Sequence, residues 1–420
     1  MSDTFDLAPQ ILRGLQLKDL GRYADAESAF KEALAQEPND DFTLHQLAAC
    51  QLHQPRRQRD ALATIDSAIA IEPNAADHHV LRSYVLSTLD RPTDGLTAAQ
   101  IALGLDPHHA GAFTAEAQAH LQMEQWPRAE KSARQALSLD ADNAAAANQL
   151  AQALRLQNKL VENAAHLAGM LARDPEDPYT HANAGWAALQ RGEHRPAEAH
   201  FREALRLDPD FESAREGLLN SFRARSPIYR AYLRYCFFMQ RLSSGSRWAV
   251  VIGLYLGVKV ARHIPGGFAL VALYMLFVLW VWVAKPVGNF FLLFDSFARY
   301  ALRRNEKREA AVVGGALFIG LAAFLAGLGM GSPNAEFAGM GLVAASFPLS
   351  MTFTNGSRPG TWLFGTIAAV TLLGVTLSVL ADYVPLIPAA TAMQIFIIGA
   401  IGCLLSTWIG NIRALRRPVE

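Results

Sequence analysis

Residues 185–209 read GWAALQRGEHRPAEAHFREALRLDP, and this stretch decides the fold of the first half of the chain. Ala197, Phe201 and Ala204 are spaced by four and three, so they share one face of a helix. The small residues let a neighbouring helix come close, and the phenylalanine fills the space between the two. Gly192 separates this helix from the one before it, which carries Gly185. Pro209 stops the second helix, because it has no N–H and restricts the residue ahead of it.

Moving outward, the closing proline recurs after an acidic residue at Pro38, Pro73, Pro107, Pro175 and Pro209. The steps are one or two periods of about 34 residues, the signature of a helical repeat. The missing beat falls at Ala141, in LDADN. The helical face recurs in phase with it, as Ala26, Phe30 and Ala33, as Ala61, Ile65 and Ala68, and as Ala129, Ala133 and Ala136. With Gly14, Gly21 and Tyr23 in the first unit and Gly185 and Gly192 in the last, the pattern resembles the tetratricopeptide repeat family. The resemblance covers 7–211, about half the chain, in six units. Asn163 and Gly95 stand where that family usually has alanine, and the second unit carries one extra residue near QPRRQ. FESAREGLLNSFRAR, after Pro209, is expected to cap the last unit.

Such repeats imply a solenoid with a concave groove. The resemblance places Tyr84, Gln118, Asn148, Gln149, Gln152, Tyr179, Asn183 and Trp186 on it as partner-binding residues. Asparagine and glutamine both donate and accept, which suits an extended peptide backbone. An aromatic can anchor a side chain. The family's basic clamp for a C-terminal carboxylate is missing, because Ile11 and Leu15 occupy its places in the first unit.

The second half has a different solvent. Six apolar segments read as candidate membrane spans, at 248–261, 268–284, 310–331, 337–353 (interrupted at Pro348), 361–380 and 392–409. The net charge of zero hides a split: 1–211 holds 30 acidic and 19 basic residues, and 212–420 holds 8 and 19. Such an asymmetry suggests a membrane surface. The stretch RSPIYRAYLRYCFFMQRLSSGSRW carries Arg230, Arg234 and Arg241 on one side of a helix and Tyr235, Phe238 and Leu242 on another. With Trp248, it reads as a basic amphipathic helix at the lipid headgroups. NFFLLFDSFARYALRR reads the same way, through Phe290, Phe294, Phe297 and Ala301.

Basic residues in short loops set orientation. Arg303, Arg304, Lys307, Arg308, Arg358, Arg413, Arg416 and Arg417 agree on repeats and C-terminus in the cytoplasm. Only Lys259 and Arg262, near a tight hairpin tip, object. The acidic start MSDTFDLAPQ gives no sign of a signal peptide. SRWAVVIGLYLG and FLLFDSFARYAL resemble the membrane hairpin of uncharacterised bacterial repeat-plus-membrane proteins, which implies a bacterial inner membrane.

No catalytic set is visible: there is no GxSxG, no phosphate loop and no HExxH. The three cysteines have no metal spacing. The pairs His78–His79 and His108–His109 are expected to face solvent. Lys259 and Asp382 are the charged residues nearest the spans, and small residues four apart (Ala316 and Gly320, Ala323 and Gly327, Gly327 and Gly331, Gly341 and Ala345) mark close helix packing.

The sequence therefore predicts an all-α protein: a repeat solenoid over 1–225, an interfacial linker over 226–247 and a membrane bundle over 248–420. It predicts a non-enzymatic scaffold without cofactor or metal. Its partners would be a protein or peptide in the groove, membrane lipid, and a membrane protein or a second copy; nucleic acid is not expected. The alternative is a transporter or channel-like bundle regulated by the repeats.

Overall fold

The computed structural model describes residues 8–355, 357–380 and 389–409. Asp382, Arg413, Arg416 and Arg417 lie outside the described residues. Every regular element within them is helical. The repeats form pairs: α1 and α2 (Pro9–Asp19, Tyr23–Gln36), α3 and α4 (Asp41–Leu52, Gln58–Ile71), α5 and α6 (Ala76–Thr88, Pro92–Leu105), α7 and α8 (Ala110–Gln122, Trp126–Leu139), α9 and α10 (Ala144–Leu156, Leu160–Arg173), α11 and α12 (Pro178–Arg191, His194–Leu207). Then come α13 (Glu212–Arg223), α14 (Pro227–Arg241), α15 (Ser244–Ala261) and α16 (Gly267–Leu292). The last elements are α17 (Arg304–Glu309), a π-helical turn (Ala310–Gly314), α18 (Gly315–Met330), α19 (Pro333–Thr354), α20 (Arg358–Leu380) and α21 (Ala389–Ile409). The chain forms two compact units. One comprises 1–187, 206–208 and 238–248; the other comprises 188–205, 209–237 and 249–420.

In the first unit the repeat faces close on one another as the spacing predicts. Ala26, Phe30 and Ala33 pack with Ile11, Leu47 and Cys50, and Ala61, Ile65 and Ala68 pack with Ala48, Leu81 and Val85. Every turn inside a pair uses a left-handed residue: Gly21, Arg56, Asp90, Glu124, Asn158 and Gly192. Only the first and last repeats supply glycine there. The non-glycine turns accept a local penalty of roughly 1 kcal/mol each. Asn163 and Gly95 do occupy alanine sites: Asn163 is fully buried, and a Cβ on Gly95 would lie 3.1 Å from the Ser83 carbonyl.

A charged clasp recurs between units. Glu27 accepts from Gln54 Nε2 and Arg57 Nη2, both at 2.7 Å; Glu130 accepts from Gln157 Nε2 at 2.7 Å and Lys159 Nζ at 2.6 Å. Burial alone would raise both carboxyls, but these donors, with Lys31 and Arg134, hold them below the usual carboxylate range.

His78 and His79 correct an expectation: both are buried. They sit at the start of α5, where both His78 nitrogens and Nε2 of His79 meet residues that precede the helix, while Nδ1 of His79 is buried without a partner. His78 Nε2 lies 2.9 Å from Asp41 Oδ2 and its Nδ1 lies 3.1 Å from His45 Nδ1, while His79 Nε2 lies 2.9 Å from the Pro73 carbonyl. His108 is exposed, and His109 caps α7 by accepting from Ala112 N–H at 3.2 Å. The Asp41 carboxylate accepts from His78 Nε2, and the direction of the Nδ1–Nδ1 contact with His45 depends on the tautomer. Burial pushes the His45 imidazole down to about 4, and the His78 ring beside it adds to the shift. The unfolded chain therefore binds a proton that the folded chain refuses, between the ordinary histidine range and about pH 4. Stability of the repeats is expected to fall as pH drops through that window, by at most about 3 kcal/mol. Denaturant melts of the parent and His45→Gln across that range check it. The variant should show a flatter slope; parallel slopes would refute the assignment.

The second unit starts within the last repeat. Phe201 of α12 is fully buried, and a Cβ on Gly217 of α13 would lie 2.3 Å from its ring, so α13 packs closely on that helix. α14 buries Tyr229, Leu233 and Phe237. That is a four-residue stripe one position off the Tyr235–Phe238–Leu242 face expected from sequence. α15 and α16 are joined by a short turn at 262–266, with Gly266 at φ +77. The second expected amphipathic helix does not form as one. α16 ends at Leu292, and Asp295 Oδ1 accepts the N–H groups of Phe297 and Ala298 at 2.9 and 2.8 Å, which starts a 3-10 turn instead. Pro348 does not interrupt α19. The carbonyl of Pro348 still accepts from Thr352 Oγ at 2.8 Å, as polar groups in such helices re-satisfy one another.

Among the described residues, three helical stretches are long and apolar enough to cross a membrane: Arg304–Met330, Pro333–Thr354 and Arg358–Leu380. The stretch Gly267–Val278 and Trp280–Leu292, bent by 42°, makes a fourth if counted as one span. The small residues are spent within this bundle. Gly320 and Gly327 of α18 meet α19, and Gly341 of α19 meets Val375 of α20, whereas Gly331 terminates α18 with φ +62.

Candidate functional site

The first helix of each pair presents the same position every 34 residues, and Tyr84, Gln118, Gln152 and Trp186 occupy it on α5, α7, α9 and α11. Gln149 and Asn183 are also one period apart. The structure joins four of the eight expected groove residues in two pairs across successive repeats, Asn183 with Asn148 and Gln149 with Gln118, like rungs of a ladder. Asn183 Nδ2 donates to Asn148 Oδ1 at 2.8 Å, and Asn148 Nδ2 donates to Asp177 Oδ2 at 2.9 Å. Gln149 Nε2 donates to Gln118 Oε1 at 3.3 Å, while its own Oε1 is buried without a partner. Asp177 starts α11 by accepting from the N–H groups of Tyr179 and Thr180. Burial would raise its carboxyl, but Thr180, Asn148 and these N–H groups lower it on balance.

The aromatics differ. Tyr84 is half-buried in the cluster of Val80, Ala99, Ala102, Ala112 and Ala115, and burial pushes its hydroxyl up to about 12. Tyr179 is 55% exposed, Trp186 is half-buried and Gln152 is exposed. One residue escaped sequence reading. Arg155 lies one turn beyond Gln152 on α9, and burial pushes its guanidinium down to about 10. Its spacing of seven from Asn148 and three from Gln152 was the available signal. The ladder can offer donors and acceptors at regular intervals along the repeats. It holds no nucleophile–base pair.

Of the four residues expected at the lipid headgroups, Arg230, Arg234 and Arg241 lie on α14 and Trp248 on α15. In the second unit Arg230 and Arg234 line a small crevice with Leu189, Gly192, Ala224 and Leu233. In the first unit Arg241 and Phe238 line a cavity of about 390 Å³ with Trp126, Pro127 and the 156–158 turn. There Arg247 pairs with Glu124. Trp248 is 62% exposed.

Residues 114–178 and 179–211 match family models of the tetratricopeptide repeat. Residues 114–211 are therefore tetratricopeptide repeats, a repeat used for protein interaction, and the earlier units share their 34-residue spacing. No curated protein matches the chain. Among solved structures, a tetratricopeptide repeat protein of Parabacteroides merdae is 16% identical, with 57% of this chain and 95% of that one covered and a TM-score of 0.42. The pilus biogenesis factor PilW is 16% identical, with 50% and 96% covered and a TM-score of 0.43. YrrB, described as having an unusual peptide-binding site, is 20% identical, with 44% and 95% covered and a TM-score of 0.32.

Proposed function

We propose that the chain is a membrane-anchored scaffold. The repeats recruit a protein or peptide to the cytoplasmic face of a bacterial inner membrane, and the helical bundle holds them there. The observation that carries this reading is the ladder of Asn148, Gln149, Gln118 and Asn183. These side chains bond to one another across units, and an extended peptide can replace those bonds with its own backbone groups. Tyr179 and Trp186 would then anchor a side chain. The division of labour follows 1–225 for recruitment, 226–247 as the headgroup-level linker with Arg230, Arg234, Arg241 and Trp248, and 248–420 as the anchor. Membrane lipid, a membrane protein or a second copy would meet the bundle.

The test is a pull-down from native membranes with the full chain and with Asn148, Asn183 and Trp186 all changed to alanine. A cytoplasmic protein should co-purify with the parent and drop about tenfold or more with the variant, the loss of one well-packed anchor. Equal capture by both would rule the groove out as the working site. A transporter or channel-like bundle under repeat control is the second reading. It is favoured by span-length helices beyond what an anchor needs. Ion flux into liposomes, reduced by changing Lys259, would support it over the scaffold.

A further inference from the structure

The charged run RRNEKRE, 303–309, precedes the third apolar segment and holds the basic loop residues Arg303, Arg304, Lys307 and Arg308. In the structure the last residue of that run, Glu309, is 5% exposed, within the second unit. It ends α17, and the π-helical turn 310–314 follows at once. Single π turns are uncommon and concentrate at functional positions. Ser350 donates to Glu309 Oε1 at 2.6 Å from α19, two residues past Pro348. A π turn and a proline-bearing helix therefore meet at one carboxyl.

Its neighbours treat their carboxylates differently. Glu306 and Glu212 are held by Arg215, at 2.8 and 2.7 Å, and Asp295 by Arg225 at 2.9 Å. Glu309 enters no ion pair among the described residues, and the group that donates to it is a neutral hydroxyl. The charged groups that act on it are Lys285 from α16, Glu306 from α17 and Arg223 from α13. α18 carries no charged residue, and α19 carries only Glu336. Lys285 Nζ is engaged 3.3 Å from Glu216. Close by, Asn289 is fully buried with its Nδ2 unpartnered. Lys285 and Arg223 are both engaged by Glu216, and an ionised carboxylate buried without an ion pair of its own costs several kcal/mol. One carboxyl and one hydroxyl beside Arg223 and Lys285 make a poor nest for a metal cation. The remaining counter-ion is a proton.

The geometry points to Glu309 as a proton-binding site of the bundle. Loading combines the carboxylate with one proton from water, giving a carboxylic acid whose carbonyl oxygen still accepts from Ser350. Unloading returns the proton to water. The new charge then competes with Glu216 for Lys285, so the occupancy of the site is felt at α13. This property goes beyond recruitment and anchoring, and it holds whether or not the groove binds a peptide.

The experiment is infrared spectroscopy of the full chain in lipid bilayers at neutral pH, in the region where protonated carboxyl C=O groups absorb apart from carboxylates. The parent should show a protonated-carboxyl band. Glu309→Gln should lose it, and Ser350→Ala, which removes the hydrogen bond, should move it to higher frequency. If Glu309→Gln does not fold, the Ser350→Ala shift decides alone. A parent without the band, or a band unchanged in both variants, would overturn the proposal.

Discussion

Arg223→Met is expected to destabilise the second unit by about 3–5 kcal/mol, the cost of breaking a buried charged network from one side. The Arg223 side chain has 0% exposure. Its guanidinium donates to Asn289 Oδ1 from Nε at 3.0 Å and from Nη2 at 2.6 Å, and to Asn220 Oδ1 from Nη1 at 2.9 Å. Glu216 lies 3.6 Å away, and Tyr229 Oη completes the cluster by donating to Asn220 Oδ1 at 2.9 Å. One residue thus ties α13, α14 and α16. Methionine keeps the apolar stem that packs on Gly288, so the loss is of hydrogen bonds and not of volume. Asn289, already short of one partner, would be left buried with none of these donors. Arg225→Met is the control: that arginine is 46% exposed in its pairs with Glu198 and Asp295, which predicts a change of about 0–1 kcal/mol. Thermal melts of the two variants in detergent should separate clearly. Coincident melts would mean that Arg223 does not hold the three helices together.

What the sequence could and could not reveal follows from range. Phe30 and Phe201, the closing prolines and the 34-residue beat are local and repeated, so each unit checks the others. The same stepping put Gln118, Gln152 and Trp186 at equivalent places on successive first helices. That Asn183 bonds to Asn148 was not legible, because a period fixes a face and leaves open which side chains meet across it. Arg223 reads as an ordinary charge near the end of a capping helix, and its partner Asn289 stands 66 residues away. Glu309 hides for a related reason. In RRNEKRE it is one more charge, and only the packing of α19 against the turn after it separates it from the exposed charges. The histidines were misread because neighbouring positions on an exposed helix do face apart, but both faces of α5 at His78 and His79 are covered.

Gly339→Leu tests whether α18 and α19 are one packed layer. A Cβ on Gly339 would lie 2.4 Å from Phe324 N and 2.5 Å from the Gly320 carbonyl oxygen. Gly327 faces Glu336 N at 2.5 Å in the same way. These are backbone atoms, which cannot rotate aside, so a side chain there must push the helices apart. In lipid no hydrophobic force draws them back together; close packing itself is what associates such helices. Overpacking a core typically costs about 1–3 kcal/mol. Here the displaced partner is a whole helix, so the expected result is loss of the folded bundle: Gly339→Leu should not purify as a single monodisperse species. Gly329→Leu is the matched control, because a Cβ at Gly329 meets nothing within 4 Å, and it should purify like the parent. α20 and α21 offer the same test through Gly374 and Gly399, whose Cβ positions fall 2.5 Å from Phe396 and 2.6 Å from Thr371 backbone atoms. If Gly339→Leu purified like Gly329→Leu, the glycines would not be crossing points. The stripe of small residues would then be free for an oligomer. If it fails while the control succeeds, the stripe is spent inside one chain, and any membrane partner must be met by the large apolar residues on the outer faces.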